Sequence, residues 1–332
     1  MEIKGYTWGY NSKKGMYTAP EGIKSRALLM ETGINWVCLA FSVKQKTFSS
    51  TEILFDYRYN VADLEIIAAI EDFHAHNIKV CLKPMVDTAD GVWRAQINFP
   101  DLNMFGEDRY WSEWFDSYRA YLKHYAEIAG YTGCEMFCLG CEMLGTERKE
   151  EQWRRTIDEI KKIYSGKLVY NTNHGKEEAA KWYDAIDFVG TSAYYPVAPL
   201  PGEGNETPSV TSMEYMKGEW EKVACHLEGV SRRINKPILF MEIGCRSAAG
   251  CASMPWDFTH RDFPMSEDEQ ANFYESSLSV FAEKPWFAGY FWWDWSTLIY
   301  DDRESASKDT GFNIHLKKAE DVIRKWYAIN DN

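Results

Sequence analysis

Two glutamates, Glu142 and Glu242, each stand directly after an apolar run, in Leu139-Gly140-Cys141-Glu142 and Leu239-Phe240-Met241-Glu242. A lone carboxylate buried in a dry core is costly, so both side chains are expected to face an open cleft. Two carboxyl groups with unequal surroundings supply a proton donor and an anion from one residue type. Glycoside cleavage with retention uses such a pair: a carboxylic acid protonates the leaving oxygen while a carboxylate attacks the anomeric carbon. In that scheme Glu142 is the acid/base, its proton held by burial and by the second negative charge, and Glu242 is the nucleophile. The competing reading is structural, with either glutamate paired to Lys83 or Arg94 to hold loops together. One glutamate alone would favour pairing, whereas two at strand ends that share a mouth favour catalysis.

The elements that must position this pair alternate along the whole chain. Apolar, β-rich runs fall at residues 3–10, 34–41, 78–85, 136–141, 167–171, 188–193, 237–241 and 287–293. Most are continuous rather than alternating, as expected of parallel strands covered on both faces. Helical periodicity lies between them. Leu64, Ile67, Ala68, Glu71 and Ala75 share a face in residues 63–76, and Trp153, Ile157, Ile160 and Tyr164 recur at helical spacing before a stop at Gly166. Ser266 followed by Glu269 reads as a capping box opening a helix that carries Phe273, Ser277 and Phe281. Eight βα units imply an α/β protein built as a single (β/α)8 TIM barrel, one domain spanning residues 1–332. The doubly wound fold lacks its G-x-G-x-x-G after the first strand. Long connections at residues 87–108, 196–212 and 246–264 all follow strand C-termini, the face on which barrel active sites are built. No repeat, linker or low-complexity segment interrupts this order.

Several segments together resemble glycoside hydrolase family 113, the β-1,4-mannanases. They are Gly91-Val92-Trp93-Arg94, Phe137 through Glu142, Leu168-Val169-Tyr170-Asn171-Thr172-Asn173, Asp187-Phe188-Val189-Gly190 with Ala193-Tyr194-Tyr195-Pro196, Phe240-Met241-Glu242-Ile243-Gly244, and Gly289 through Trp295. They occur in order from the third strand to the last, and the resemblance covers essentially the whole chain. It implies a retaining cleavage of β-linked mannose with Glu142 as acid/base and Glu242 as nucleophile. It also implies that Trp293 is the sugar platform and that Lys83, Trp93, Arg94, Asn173 and Tyr194 line the glycone side. An aromatic face at the end of the eighth strand can stack on a pyranose, and the Tyr194 hydroxyl can donate to Glu242. Each has a plainer reading. Trp292 and Trp293 point opposite ways, so one belongs to the core, and Arg94 can pair with Asp87 or Asp90. The chain departs from the wider clan at Cys141, where many members carry Asn, and at Met241 and Cys245, which leaves the sugar preference open.

Composition excludes several function classes. A net charge of −13 without a Lys/Arg cluster argues against nucleic acid. No stretch of about 18 apolar residues suggests a membrane span, and residues 1–10 do not resemble a signal peptide. The expectation is therefore a cytoplasmic enzyme acting on imported manno-oligosaccharides, its eight cysteines free thiols. The Cys138-x-x-Cys141 pair is expected on opposite faces of a strand and so unable to chelate one ion. No metal or cofactor is expected. His74 and His76 share a helical stretch but not a face, leaving His174 as the one well-placed histidine for a rival metal-dependent hydrolase. A silent carbohydrate-binding barrel also fits the fold, and a transglycosidase would use the same glycosyl-enzyme step. Nothing in the sequence specifies an oligomeric state. The 14 Trp, 20 Tyr and 17 Phe read first as core filling.

Overall fold

The computed structural model describes residues 1–200, 208–259 and 263–328. Its strands are β1 (Ile3–Trp8), β2 (Trp36–Gln45), β3 (Ile53–Leu54), β4 (Lys79–Thr88), β5 (Met136–Cys141), β6 (Lys167–Asn173), β7 (Phe188–Ser192), β8 (Ile238–Ile243) and β9 (Phe287–Trp295). Each strand other than β3 pairs in parallel with its neighbours, and β1 pairs with both β2 and β9, so the sheet closes on itself. This is a closed eight-stranded barrel, with β3 added antiparallel to the extended end of β2. Helices α1 (Pro20–Met30), α2 (Asp63–Ala75), α3 (Arg109–Thr132), α4 (Leu144–Glu147), α5 (Glu150–Lys161), α6 (Met213–Ile234), α7 (Glu267–Phe281), α8 (Arg303–Ala306) and α9 (Lys318–Ala328) accompany the strands. The longer ones form the outer shell. No helix among the described residues is long and apolar enough to cross a membrane.

Alternation along the strands sorts side chains into two cores. Inward positions build a narrow layer of Trp36, Cys38, Cys81, Met136, Cys138, Val169, Leu239, Met241 and Phe291. Above it Ala40, Met85 and Cys141 form a smaller layer beneath Tyr10. Small thiols and flexible thioethers suit the tapering bore because they fill it without strain. Outward positions meet the helices across an aromatic shell in which Trp153 stacks on Trp182 at 4.7 Å and Trp114 on Tyr118 at 4.7 Å. Eight of the 14 Trp are fully buried, so the aromatic excess is largely core.

Local boundaries differ from the sequence reading where neighbours extend or cut an element. Strand β4 continues to Thr88 because β2 pairs with it through Gln45. Helix α5 ends at Lys161, before Tyr164 and Gly166, and the Tyr164 hydroxyl instead donates to the Cys134 carbonyl. Ser266 caps α7 through its hydroxyl and the Glu269 amide, but the Glu269 side chain turns away to accept from the Thr211 amide, leaving half of the expected box. Cys138 and Cys141 do not lie on opposite faces. The β5–β6 register shifts between them, and this irregularity turns both thiols into the bore, in different layers. Among the described residues no three His, Cys, Asp or Glu side chains are grouped to hold a metal ion.

Candidate active site

Both glutamates sit at the C-terminal mouth of the barrel, where register irregularities aim them. Glu142 follows β5 with φ +54, a left-handed conformation that costs a non-glycine residue on the order of 1–3 kcal/mol and collects at functional sites. Its amide is tied to the Asn171 carbonyl at 2.7 Å, so β6 holds the strained residue in place. Glu242 lies inside β8, where the β7–β8 register shifts between Thr191 and Ser192 and the β8–β9 register shifts between Phe240 and Ile243. Gly244 follows for a steric reason: a Cβ there would lie 2.3 Å from the Trp293 carbonyl oxygen.

Glu242 is held by donors of unequal number on its two oxygens. Oε1 accepts from Lys83 Nζ at 2.5 Å, from the Cys141 thiol at 3.2 Å and from Asn171 Nδ2 at 3.2 Å. Oε2 accepts from the Tyr194 hydroxyl alone, at 3.1 Å. Enclosure by itself would drive the Lys83 ammonium down, yet Cys141 and Glu242 beside it outweigh that and hold it well above the usual lysine value. Burial pushes the Cys141 thiol up. Cys141 is therefore held as an S–H donor, and the buried Lys83 ammonium sits against Glu242 as its ion-pair partner.

Glu142 meets a different set. Oε1 accepts from Asn173 Nδ2 at 3.1 Å, and Oε2 from Arg94 Nη1 and Trp93 Nε1, both at 3.4 Å. The two Oε2 contacts are long, and Arg94 spends its better bonds elsewhere: Nη2 and Nε donate to Asp87 Oδ1 at 2.7 and 2.9 Å, and Nη2 also to the Tyr10 hydroxyl. Burial first, and then the charge of Glu242, raises the Glu142 carboxyl above its ordinary range against the opposing pull of Arg94. One glutamate is thus firmly paired and the other is biased toward its protonated form.

The remaining residues singled out in the sequence gather here at different depths. Trp293 is partly open and leans on Tyr10 at 4.9 Å, whereas Trp292 is fully buried and stacks on Tyr274 at 4.0 Å. Trp93 is 49% exposed at the rim. Lys83 is completely enclosed, so it lies beneath Glu242 and not along a sugar-facing wall. Arg94 pairs with Asp87 as well as touching Glu142, so the structural pairings weighed from the sequence coexist with the carboxylate pair. His174 is stacked near Trp256, and burial pulls its imidazole down. Sequence reasoning gave no role to Asn171, Tyr10 and Asp294, and named Asp87 only as a pairing partner for Arg94. All four occupy strand C-terminal ends, which was the available signal. Asp294 is pushed up to about 7 by burial and then by the charges of Glu242 and Asp309. Cys245 faces away from the mouth, its sulfur against that of Cys251. A hollow of about 600 Å3 opens beside Tyr10 and Asp87 and another of about 670 Å3 beside Ala95 and Gln96, and neither is lined by the two glutamates themselves.

The sequence of the chain matches the profile of Glycoside Hydrolase Family 113 over residues 6–317. The chain belongs to that family. It is a glycosidase. A solved family 113 β-1,4-mannanase is 36% identical over 99% of this chain and 100% of its own, with a TM-score of 0.89. The family 113 β-mannanase AaManA from Alicyclobacillus acidocaldarius, in complex with ManMIm, is 37% identical over 98% of this chain and 97% of its own, at 0.87. A β-glucuronidase from Faecalibacterium prausnitzii shares the fold alone, at 14% identity and a TM-score of 0.62 over 49% of its length. No functionally curated sequence matches the chain significantly.

Proposed function

We propose that this family member hydrolyses β-1,4-mannosidic bonds with retention, Glu142 acting as acid/base and Glu242 as nucleophile. The observation that carries the reading is the unequal treatment of two carboxyls at one mouth: burial and a neighbouring charge favour the proton on Glu142, while Lys83, Cys141, Asn171 and Tyr194 all donate to Glu242. Because three donors saturate Oε1, Oε2 is the oxygen left with lone pairs for the anomeric carbon. In the first step Oε2 bonds to that carbon as Glu142 hands its proton to the departing glycosidic oxygen. In the second, Glu142, now an anion, takes a proton from water, and the water oxygen displaces Glu242 from the opposite direction. Trp293 offers the apolar face of a sugar ring a platform, and Tyr194 and Asn173 hold the two carboxyls in register.

Eight unpaired cysteines suit a reducing, cytoplasmic setting as part of the same reading. Digestion of mannobiose through mannohexaose, with cello-oligosaccharides as controls and the product anomer followed by NMR, tests it. Faster cleavage of the manno series with β-products first supports the proposal; preference for the gluco series or α-products first overturns it.

A further inference from the structure

A second pair of carboxylates lies outside the bore, between β6, β7 and the helical shell. Thr172 of β6 and Thr191 of β7 are register partners, so their side chains emerge next to one another from adjacent strands about 4.8 Å apart. The Thr172 hydroxyl donates to Glu147 Oε1 at 2.9 Å and the Thr191 hydroxyl to Glu177 Oε1 at 2.7 Å. Glu147 Oε1 also accepts from the Tyr170 hydroxyl, and Glu177 Oε1 from the Gly175 amide and the Tyr195 hydroxyl. Every donor goes to Oε1. The Oε2 atoms of both glutamates are buried without a hydrogen-bond partner, as is the hydroxyl of Tyr183, which lies within the electrostatic reach of both carboxylates.

Charge makes the arrangement incomplete. Glu147 and Glu177 are 3% and 1% exposed. Among the described residues no lysine or arginine pairs with either, and the ion-pair contact made is with the half-exposed His226, whose Nε2 stands 3.9 Å from Glu177 Oε2. Burial, with the Glu177 charge adding to it, pushes the Glu147 carboxyl up to about 7, so a proton competes there with any cation. Water would satisfy the three partnerless oxygens but would leave enclosed negative charge unanswered. A monovalent ion would answer one of the two carboxylates. A divalent ion answers both, and an all-oxygen site of adaptable geometry suits calcium better than magnesium, which demands a near-ideal octahedron and sheds water reluctantly.

We propose that Glu147 Oε2, Glu177 Oε2 and the Tyr183 hydroxyl, completed by water, bind a structural calcium ion. The site ties α4, which follows Glu142 by one turn of chain, to the segment that follows Asn173. It takes no part in the bond-breaking chemistry and acts by fixing the segments behind both residues.

The test uses the intact protein freed of divalent ions with EGTA and exchanged into low-salt buffer. Titration calorimetry with calcium chloride is expected to give one ion per chain. Calcium at a hundredfold excess over its Kd is expected to raise Tm by about 4 °C for a chain of this size, and magnesium to raise it by less. Glu147→Gln and Glu177→Gln are each expected to lose the calcium response. Tyr183→Phe keeps both carboxylates and is expected to weaken binding about tenfold, so the assignment remains testable if the glutamine variants fail to fold. Absence of calcium binding by the wild-type protein overturns the proposal, as does an equal shift with magnesium, or binding that survives in the Tyr183→Phe and Glu→Gln variants unchanged.

Discussion

Replacing Glu142 by glutamine removes a proton and leaves the shape nearly intact. The side chain is 9% exposed and both of its oxygens face donors, Asn173 on one side and Arg94 with Trp93 on the other. A glutamine offers one acceptor to that set and turns its amide toward donors on the other side. The long 3.4 Å contacts to Arg94 and Trp93 are the ones it will sacrifice. General acid–base catalysis is worth about 10²- to 10⁴-fold, or roughly 3–5.5 kcal/mol of barrier. On a manno-oligosaccharide, whose leaving group is a poor one, the whole of that loss is expected in kcat/KM. On a 2,4-dinitrophenyl β-mannoside the leaving group needs no proton, so kcat/KM is expected to stay within about tenfold of wild type, by the same barrier arithmetic. Its kcat and KM are expected to fall together, because the second step still lacks its base and the glycosyl-enzyme accumulates. Azide added to Glu142→Ala should restore turnover and yield a β-mannosyl azide. The pH profile supplies an independent check. Burial and the charge of Glu242 raise the Glu142 carboxyl, so wild-type kcat/KM is retained above the ordinary glutamate range and lost as pH rises through that elevated value. The alkaline limb should vanish in the glutamine variant. Equal losses on both substrates, with no azide product and an unchanged alkaline limb, would refute the assignment of Glu142.

Three further outcomes follow from the same geometry. Lys83→Met strands a buried carboxylate and is expected to cost about 3–5 kcal/mol of stability, whereas Lys83→Met combined with Glu242→Leu, which replaces the whole pair by apolar volume, should recover most of it; denaturant melts decide, and a double variant no more stable than the single one contradicts the pairing argument. Trp293→Ala should raise KM and lower kcat/KM about tenfold while moving Tm little, since the ring is partly open; a change confined to Tm would mark it as packing. Gly244→Ala drives a Cβ into the Trp293 carbonyl and is expected to cost roughly 1–3 kcal/mol with a loss of activity larger than that of a surface alanine. Full activity would show that the β8–β9 contact gives way freely.

Much of the architecture was legible because its signals are local. A parallel strand covered on both faces must be apolar almost throughout, so eight such runs separated by helical periodicity announced a barrel without reference to any distant contact. Strand alternation likewise separated Trp292 from Trp293, and the order of the polar residues after each run put Glu142 and Glu242 at one end of the molecule. The sequence by itself therefore determined the class of fold, the face that bears the mouth and the residue types available there.

Depth, pairing and register were decided by the tertiary structure. Lys83 lies on β4 and Trp93 just after it, yet one is fully enclosed under Glu242 and the other stands at the rim. Cys141 turns inward against the expected alternation because the β5–β6 register slips beside it. Asn171 reaches Glu242 directly, Tyr10 and Asp87 hold Arg94 from strands far apart in the chain, and Glu147 and Glu177 are brought near one another because Thr172 and Thr191 fall in register. Local composition sets which side chains a strand presents, but a bulge or a register shift depends on the packing of two neighbours at once. That non-local balance determines which of the presented groups meet, and at what distance.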